Sequence, residues 1–172
     1  MKIILILFLF SINIFAAEIP QPLIPDPQLT TGYLCSTKDN NFHEYRYREK
    51  IPYCKRNVSS AMKREIYLRY RIPAKCQSDY TIDHFYPLSL GGNNQFANLW
   101  PEHKAIKKIR QNLEQTLYEN LRDGEITQAR ALSTIKEAKL NPDSSTIAKG
   151  NYCEQFSPLT PLPLAHLAPL LF

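Results

Sequence analysis

The most informative part of this chain is residues 80–108, YTIDHFYPLSLGGNNQFANLWPEHKAIKK. The first part of this stretch, from Tyr80 to Leu90, predicts a strand and its continuation. The GGNN sequence at 91–94 predicts a turn. We expect a helix to begin at Pro101 or Glu102 and to run to Arg122, where Asp123-Gly124 would stop it. The buried stripe of this helix would consist of Ile106, Ile109, Leu113, Leu117 and Leu121.

An Asp-His pair in this stretch has the side chains that phosphodiester hydrolysis requires. An attacking water must lose a proton, and a neutral imidazole accepts one well near neutral pH. A divalent cation with few protein ligands can stabilise the charge that develops on the phosphate. We therefore expect His84 to act as the general base, Asp83 to bind a metal ion, and His103 to be a second metal ligand.

Other polar residues of the stretch suggest supporting roles. Asn98 can both donate hydrogen bonds to backbone groups and accept them, so we expect its amide to fix the loop between strand and helix. Lys104, Lys107 and Lys108 follow His103 and are candidates to contact substrate phosphates.

The motifs IDHFYPLSLGG and NLWPEHK resemble those of the HNH endonucleases of the His-Me finger superfamily. This resemblance implies a small ββα-metal finger, with Asp83 as a metal ligand, His84 as the base, Asn98 bracing the loop and His103 completing the metal site. It also implies Mg²⁺ as the cofactor, with Mn²⁺, Ca²⁺, Ni²⁺ or Zn²⁺ as alternatives. The flanking residues resemble those of exported bacterial members, which would extend the resemblance over about residues 30–140.

The third position of the motif departs from the family pattern. His103 follows Asn98 by only five residues, whereas a longer loop intervenes in many HNH proteins. Glu102, Asn112 and Glu114 are therefore alternatives to His103 as the metal ligand.

Helices are predicted on both sides of the motif. Val58 to Tyr70 has an apolar residue every four positions, with Ser59 able to cap the first turn and Pro73 ending the helix. A further helix should begin at Thr127, which would cap it, and end at Asn141-Pro142, with Leu132, Ile135 and Ala138 facing inward.

The ends of the chain predict processing and export. Residues 1–16 have a positive start, a short apolar run and a small residue at the end, which is the pattern of a secretory signal peptide. Residues 17–31 are proline-rich and are expected to form an extended linker. Residues 157–172 form an apolar, proline-broken tail. We expect a secreted or periplasmic protein in which no other segment spans a membrane.

The cysteines fit this location. Cys35, Cys54, Cys76 and Cys153 all follow the predicted signal peptide, and an even number in an exported chain indicates two disulfides. Of the three possible connectivities, we favour Cys35–Cys54, which closes the N-terminal segment locally, and Cys76–Cys153, which ties the C-terminal segment to the centre. Residues 32–55 would then be a loop-rich flap held by cysteines.

The sequence thus predicts an α+β nuclease domain over residues 32–156, in which further helices and disulfides surround the metal finger. Its reaction would be hydrolysis of DNA, with RNA also open, and with little sequence specificity. The net charge of +5 permits a polyanionic partner but does not require one. The alternative is an extracytoplasmic protein that binds nucleic acid on the same fold without cutting it.

Overall fold

The computed structural model of this chain describes residues 23–142 and has an α+β architecture, which confirms the predicted class. The strands are β1 (Phe42–Arg46), β2 (Ile51–Cys54), β3 (Tyr80–His84) and β4 (Leu99–His103). The α-helices are α1 (Ser60–Arg69), α2 (Lys104–Ile109), α3 (Leu113–Asp123) and α4 (Gln128–Leu140). Short 3₁₀ helices span Ala74–Asp79, Leu88–Leu90 and Phe96–Asn98.

The strands form two separate antiparallel hairpins. In the first, β1 pairs with β2. In the second, β3 pairs with β4 in a register that runs from Tyr80 opposite His103 to His84 opposite Leu99. The predicted strand at Tyr80 is confirmed, but its regular pairing ends at His84, and a 3₁₀ turn replaces the expected continuation to Leu90.

The predicted single helix from Pro101 or Glu102 to Arg122 is wrong. Residues 99–103 form β4, all five of them buried, and the helix begins only at Lys104. A second interruption occurs at Asn112, whose φ of 71° is left-handed and separates α2 from α3. Asparagine tolerates this left-handed conformation better than most residues. The apolar stripe predicted for one helix is therefore divided between α2 and α3.

The predicted helix caps on α1 and α4 are confirmed. The Ser59 side chain accepts a hydrogen bond from the Met62 backbone N–H, and the Thr127 side chain accepts one from Arg130. Such caps satisfy backbone donors that have no partner within the helix.

Two apolar clusters hold the domain together. The first joins α1 to the β3–β4 hairpin and includes Ile66, Tyr70, Ile82 and Trp100. The second packs α3 and α4 against the turn after β3, through Leu117, Leu121 and Ile135 among others. Helices therefore pack both on the β3–β4 hairpin and on the turn that follows β3.

The described part of the predicted linker, residues 23–31, lies against the body of the domain. Pro25 is fully buried, and Thr30 is 3% exposed. The Thr30 hydroxyl bonds the Tyr70 hydroxyl at 2.6 Å and donates to the Leu99 carbonyl at 3.0 Å. These hydrogen bonds connect the segment to the end of α1 and to β4. The proline-rich composition gives no indication of them.

The predicted flap is a hairpin closed by a disulfide. The Cys35–Cys54 bond is present as predicted, and it joins the end of β2 to the segment before β1. The predicted Cys76–Cys153 bond, the signal peptide at 1–16 and the tail at 157–172 all involve residues outside the described range. Within residues 23–142, no helix is long and apolar enough to cross a membrane.

Replacing both Cys35 and Cys54 by alanine should lower the free energy of unfolding by about 3 kcal/mol, because the bond closes a loop of 19 residues in sequence. Denaturant titration of the variant and the oxidised wild type measures this difference. An unchanged midpoint and slope would show that the disulfide does not stabilise the domain.

Candidate active site

The imidazole of His84 lies at the end of β3 with both ring nitrogens in contact with other side chains. Nε2 is 3.1 Å from the Asn94 Oδ1 atom, and Nδ1 is 3.2 Å from the Arg56 Nη1 atom. The Asn94 amide is oriented by two further contacts, since its Nδ2 donates to the Lys55 carbonyl and its Oδ1 accepts from the Asn57 N–H. Because Oδ1 can only accept and a guanidinium can only donate, Nε2 carries the proton and Nδ1 presents its lone pair.

This environment keeps His84 neutral. Burial lowers the pKa of the imidazole, since His84 is 3% exposed, and the Arg56 guanidinium lowers it further against the opposing effects of Asn94 and Asp83. A neutral ring with one defined acceptor nitrogen is the form that a general base requires.

Asn98 braces the loop that follows His84, as the sequence suggests. Its Oδ1 accepts from the Tyr86 N–H at 2.9 Å, and its Nδ2 donates to the carbonyls of Tyr86 and Asn93 at 3.0 and 2.8 Å. The loop also requires Gly92, because a Cβ atom at that position would lie 1.8 Å from the Tyr86 carbonyl oxygen. Asn98 therefore positions the loop that carries Asn94, and through it the His84 ring.

The Asp83 carboxylate lies beside His84 and bonds a cation. Its Oδ1 accepts from the His84 backbone N–H at 2.9 Å, and its Oδ2 is 2.7 Å from the Lys107 ammonium. Burial favours the protonated carboxyl, but the Lys139 and Lys107 cations outweigh burial and hold the pKa of Asp83 below its usual range. Asp83 is therefore an anion over the whole neutral range.

The register of the hairpin determines which side chains share a face with Asp83. Neighbours along a strand point to opposite faces, whereas residues paired across two strands point to the same face. Asp83 is opposite Trp100 and Thr81 is opposite Glu102, so Asp83 and Glu102 belong to one face.

His103 belongs to the other face, opposite Tyr80, and the same alternation assigns His84, the last residue of β3, to that face. Its ring packs edge-on against that tyrosine, with 5.0 Å between the ring centroids. Its Nδ1 accepts from the Ala105 N–H and caps α2. The hairpin therefore places Glu102, and not His103, on the side of Asp83.

Glu102 is fully buried and has one carboxylate oxygen without a hydrogen-bond partner. Its Oε1 pairs with the Arg110 guanidinium, while Oε2 forms no hydrogen bond and lies 3.5 Å from the Lys107 ammonium. The same ammonium bonds Asp83, so one cation lies between the two carboxylates.

This arrangement fits a divalent metal ion. Carboxylate oxygens are the ligands that Mg²⁺, Mn²⁺ and Ca²⁺ prefer, and Mg²⁺ is commonly held by one or two carboxylates together with water and substrate oxygens. The Lys107 ammonium shows that the space between Asp83 and Glu102 attracts positive charge. The unpartnered Oε2 atom supplies a ligand position.

Asn112 and Glu114, which the sequence also suggests as metal ligands, have different contacts. Asn112 separates α2 from α3. Glu114 pairs with the Lys139 ammonium at 2.9 Å. Lys139 is itself fully buried and donates to the His84 carbonyl at 2.6 Å. It thus fixes the His84 backbone from α4.

The three lysines predicted to contact nucleic acid are in different environments. Lys104 and Lys108 are exposed on α2. Lys107 is half-exposed, and its ammonium is bonded to Asp83. The proposed phosphate contacts of these lysines remain predictions.

Sequence reasoning missed Arg56, Asn94 and Lys139. The sequence places Asn94 only in a turn, and nothing near Arg56 indicates that it reaches His84. The sequence does contain a signal for Lys139, because it lies four residues after Ile135 and eight after Ala131 on one stripe of the helix. All three residues are buried. A lysine on such a stripe indicates a buried ammonium with partners.

Within residues 23–142, only Cys35, Asp39 and Cys54 bring three or more possible metal-ligand atoms within 4.8 Å of one another, and these cysteines are in the disulfide. A metal at Asp83 and Glu102 would therefore complete its coordination with water or substrate. Comparisons with known protein families, with curated proteins and with solved structures found no match to this chain.

Proposed function

We propose that this chain is an exported, metal-dependent endonuclease that hydrolyses phosphodiester bonds of DNA on an HNH-type ββα-metal finger. The proposal is carried by two features that meet at the consecutive residues Asp83 and His84, where the regular pairing of β3 ends. These are a neutral His84 with a single defined acceptor nitrogen, and the Asp83 and Glu102 carboxylates with a cation between them. The chain order β3, β4, α2 agrees with the finger that the family resemblance implies.

In the proposed reaction, His84 accepts a proton of the attacking water at Nδ1 and becomes an imidazolium. The oxygen of that water bonds to phosphorus, the P–O bond to the leaving oxygen breaks, and the leaving oxygen takes a proton from solvent water. The Nε2–H bond from His84 to Asn94 holds the ring in place and stabilises the charge that it gains. A divalent ion held by Asp83 and Glu102 would supply the positive charge that stabilises the phosphate oxygens. Lys139 keeps the His84 backbone fixed during the transfer.

Arg56 must leave Nδ1 before a water can occupy that position. Its side chain is exposed, its Nη2 donates to the Ile82 carbonyl at 3.2 Å, and among residues 23–142 no carboxylate forms an ion pair with it. A guanidinium without a counter-ion beside the base is well placed to bind a phosphate. Substrate binding would then draw Arg56 away from His84 and expose the acceptor nitrogen.

Arg56→Ala should accordingly weaken DNA binding about tenfold and lower the salt dependence of the affinity by about one phosphate contact. Fluorescence anisotropy with a short duplex in excess chelator, at several salt concentrations, measures both. Arg64→Ala, which removes an exposed arginine from α1, is the matched control. Equal affinities and slopes for the two variants would exclude a phosphate contact at Arg56.

Export is supported by the signal-like sequence of residues 1–16 and by the Cys35–Cys54 disulfide, a bond that persists in oxidising compartments. A periplasmic and a released protein would both satisfy these features.

Incubation of the oxidised mature protein with supercoiled plasmid, linear duplex and single-stranded RNA in Mg²⁺ tests the activity. We expect nicking and then linearisation of the plasmid, without preferred fragment sizes, and none with His84→Ala prepared in parallel. Binding of the plasmid without any strand cleavage would contradict the proposal and favour the non-catalytic nucleic-acid-binding protein.

A further inference from the structure

The Lys107 ammonium occupies the position between Asp83 and Glu102 that the proposed function gives to a divalent ion. It is 2.7 Å from Asp83 Oδ2 and 3.5 Å from Glu102 Oε2. A divalent ion on these two carboxylates would compete with the ammonium for the same oxygen atoms, since carboxylate oxygens are the ligands that Mg²⁺ and Mn²⁺ prefer.

Lys107 can leave this position, whereas the carboxylates cannot. Half of its side chain is exposed, while the side chain of Glu102 is fully buried and that of Asp83 is 12% exposed. Arg110, which is 7% exposed, holds the second oxygen of Glu102 in place. The mobile partner in any exchange is therefore the lysine.

We propose that Lys107 is an exchangeable internal cation that a divalent metal displaces from Asp83 and Glu102, and that the released ammonium then binds a phosphate of the substrate. The inference rests on the proposed function, because it takes the metal site and the nucleic-acid substrate from it. It adds a coupling between them: the metal frees one cationic contact for DNA, and Lys107 lowers the apparent affinity for the metal.

The same lysine has a closely matched control. Lys108 is its neighbour on α2, is exposed, and forms no ion pair among the described residues. Lys107→Met and Lys108→Met remove the same charge from the same helix, and methionine keeps the side-chain length and helix propensity. A difference between the two variants therefore reports the local exchange and not the net charge.

Mn²⁺ binding, measured by titration calorimetry and by the loss of the free-ion paramagnetic resonance signal, tests the first half. We expect Lys107→Met to bind Mn²⁺ about three- to tenfold more tightly than Lys108→Met, because the metal no longer has to displace an ammonium. Lys107→Arg, which keeps the competing charge, should not show this gain. Equal or weaker Mn²⁺ binding by Lys107→Met would overturn the exchange.

DNA binding tests the second half, in proteins that also carry His84→Ala so that no cleavage occurs. Adding Mn²⁺ should increase the salt dependence of the affinity in Lys108→Met by about one phosphate contact more than in Lys107→Met. An equal increase in both would show that Lys107 is not transferred to the DNA.

These outcomes separate the inference from the function on which it rests. If the wild type cleaves DNA only with metal, but the two methionine variants bind Mn²⁺ equally, the exchange is wrong and the proposed function stands. If no variant binds Mn²⁺ at all, both the exchange and the metal-dependent function are wrong.

Discussion

His84→Ala is expected to lower the rate of DNA cleavage by about 10²–10⁴-fold, the usual contribution of a positioned general base, while metal and DNA affinities stay close to those of the wild type. The imidazole touches Asn94 and Arg56 and neither carboxylate of the cation site, so its removal takes away the proton acceptor alone. Single-turnover cleavage of a labelled duplex measures the rate, and Mn²⁺ titration measures the affinity.

His43→Ala is the control for this variant, since His43 is exposed on β1, and it should cleave at the wild-type rate. Loss of Mn²⁺ binding in His84→Ala would reassign His84 as a metal ligand. An unchanged cleavage rate would remove it from the reaction.

The same assignment gives the sign of the pH dependence. Because burial lowers the pKa of His84, the imidazole stays neutral to a pH below its usual value of 6.5, and Asp83 stays ionised there as well. The single-turnover rate should therefore rise with pH through the acid range and be flat from about pH 7 upward.

Glu102→Gln is expected to weaken Mn²⁺ binding by about tenfold or more, as is Asp83→Asn, whereas His103→Ala should leave it nearly unchanged. The reason is the hairpin register, which puts Glu102 on the face of Asp83 and His103 on the opposite face. Calorimetry on the three variants measures the affinities. Glu102→Gln removes the charged partner of the buried Arg110. Circular dichroism is the control that shows whether this variant is still folded.

The opposite pattern would contradict this assignment. If His103→Ala weakens Mn²⁺ binding and Glu102→Gln does not, the family resemblance identifies the ligand correctly and the register argument fails.

Local signals predicted part of this structure well. Ser59 and Thr127 cap their helices because a hydroxyl at that position satisfies nearby backbone N–H groups, and such a cap requires no long-range contact. The start of β3 and the bracing contacts of Asn98 were also predictable, because they follow from residue type and near neighbours in the chain.

Pairing between distant segments was not predictable from these signals. Residues 99–103 form a strand because they pair with β3, and this non-local partner overrides the apolar spacing that favoured a helix from Pro101. The faces of Glu102 and His103 depend on that pairing, so the sequence favoured His103, with Glu102 as an alternative, without any information on which side of the hairpin each residue lies.

The contacts of His84 could not be predicted for the same reason. Arg56 reaches His84 over 28 residues and Lys139 over 55, and neither contact leaves a local pattern around the histidine. A sequence can therefore indicate the base and a nearby carboxylate, whereas the groups that set the tautomer and the charge of the site come from the fold.

Plasmid cleavage by the oxidised wild-type protein, measured in excess chelator and again after Mg²⁺ is restored, tests the central claim most directly. The account predicts no strand cleavage in chelator, full recovery on addition of Mg²⁺, and little recovery in Asp83→Asn at the same Mg²⁺ concentration. Full cleavage in excess chelator would contradict it, because Asp83 and Glu102 would then have no metal to hold.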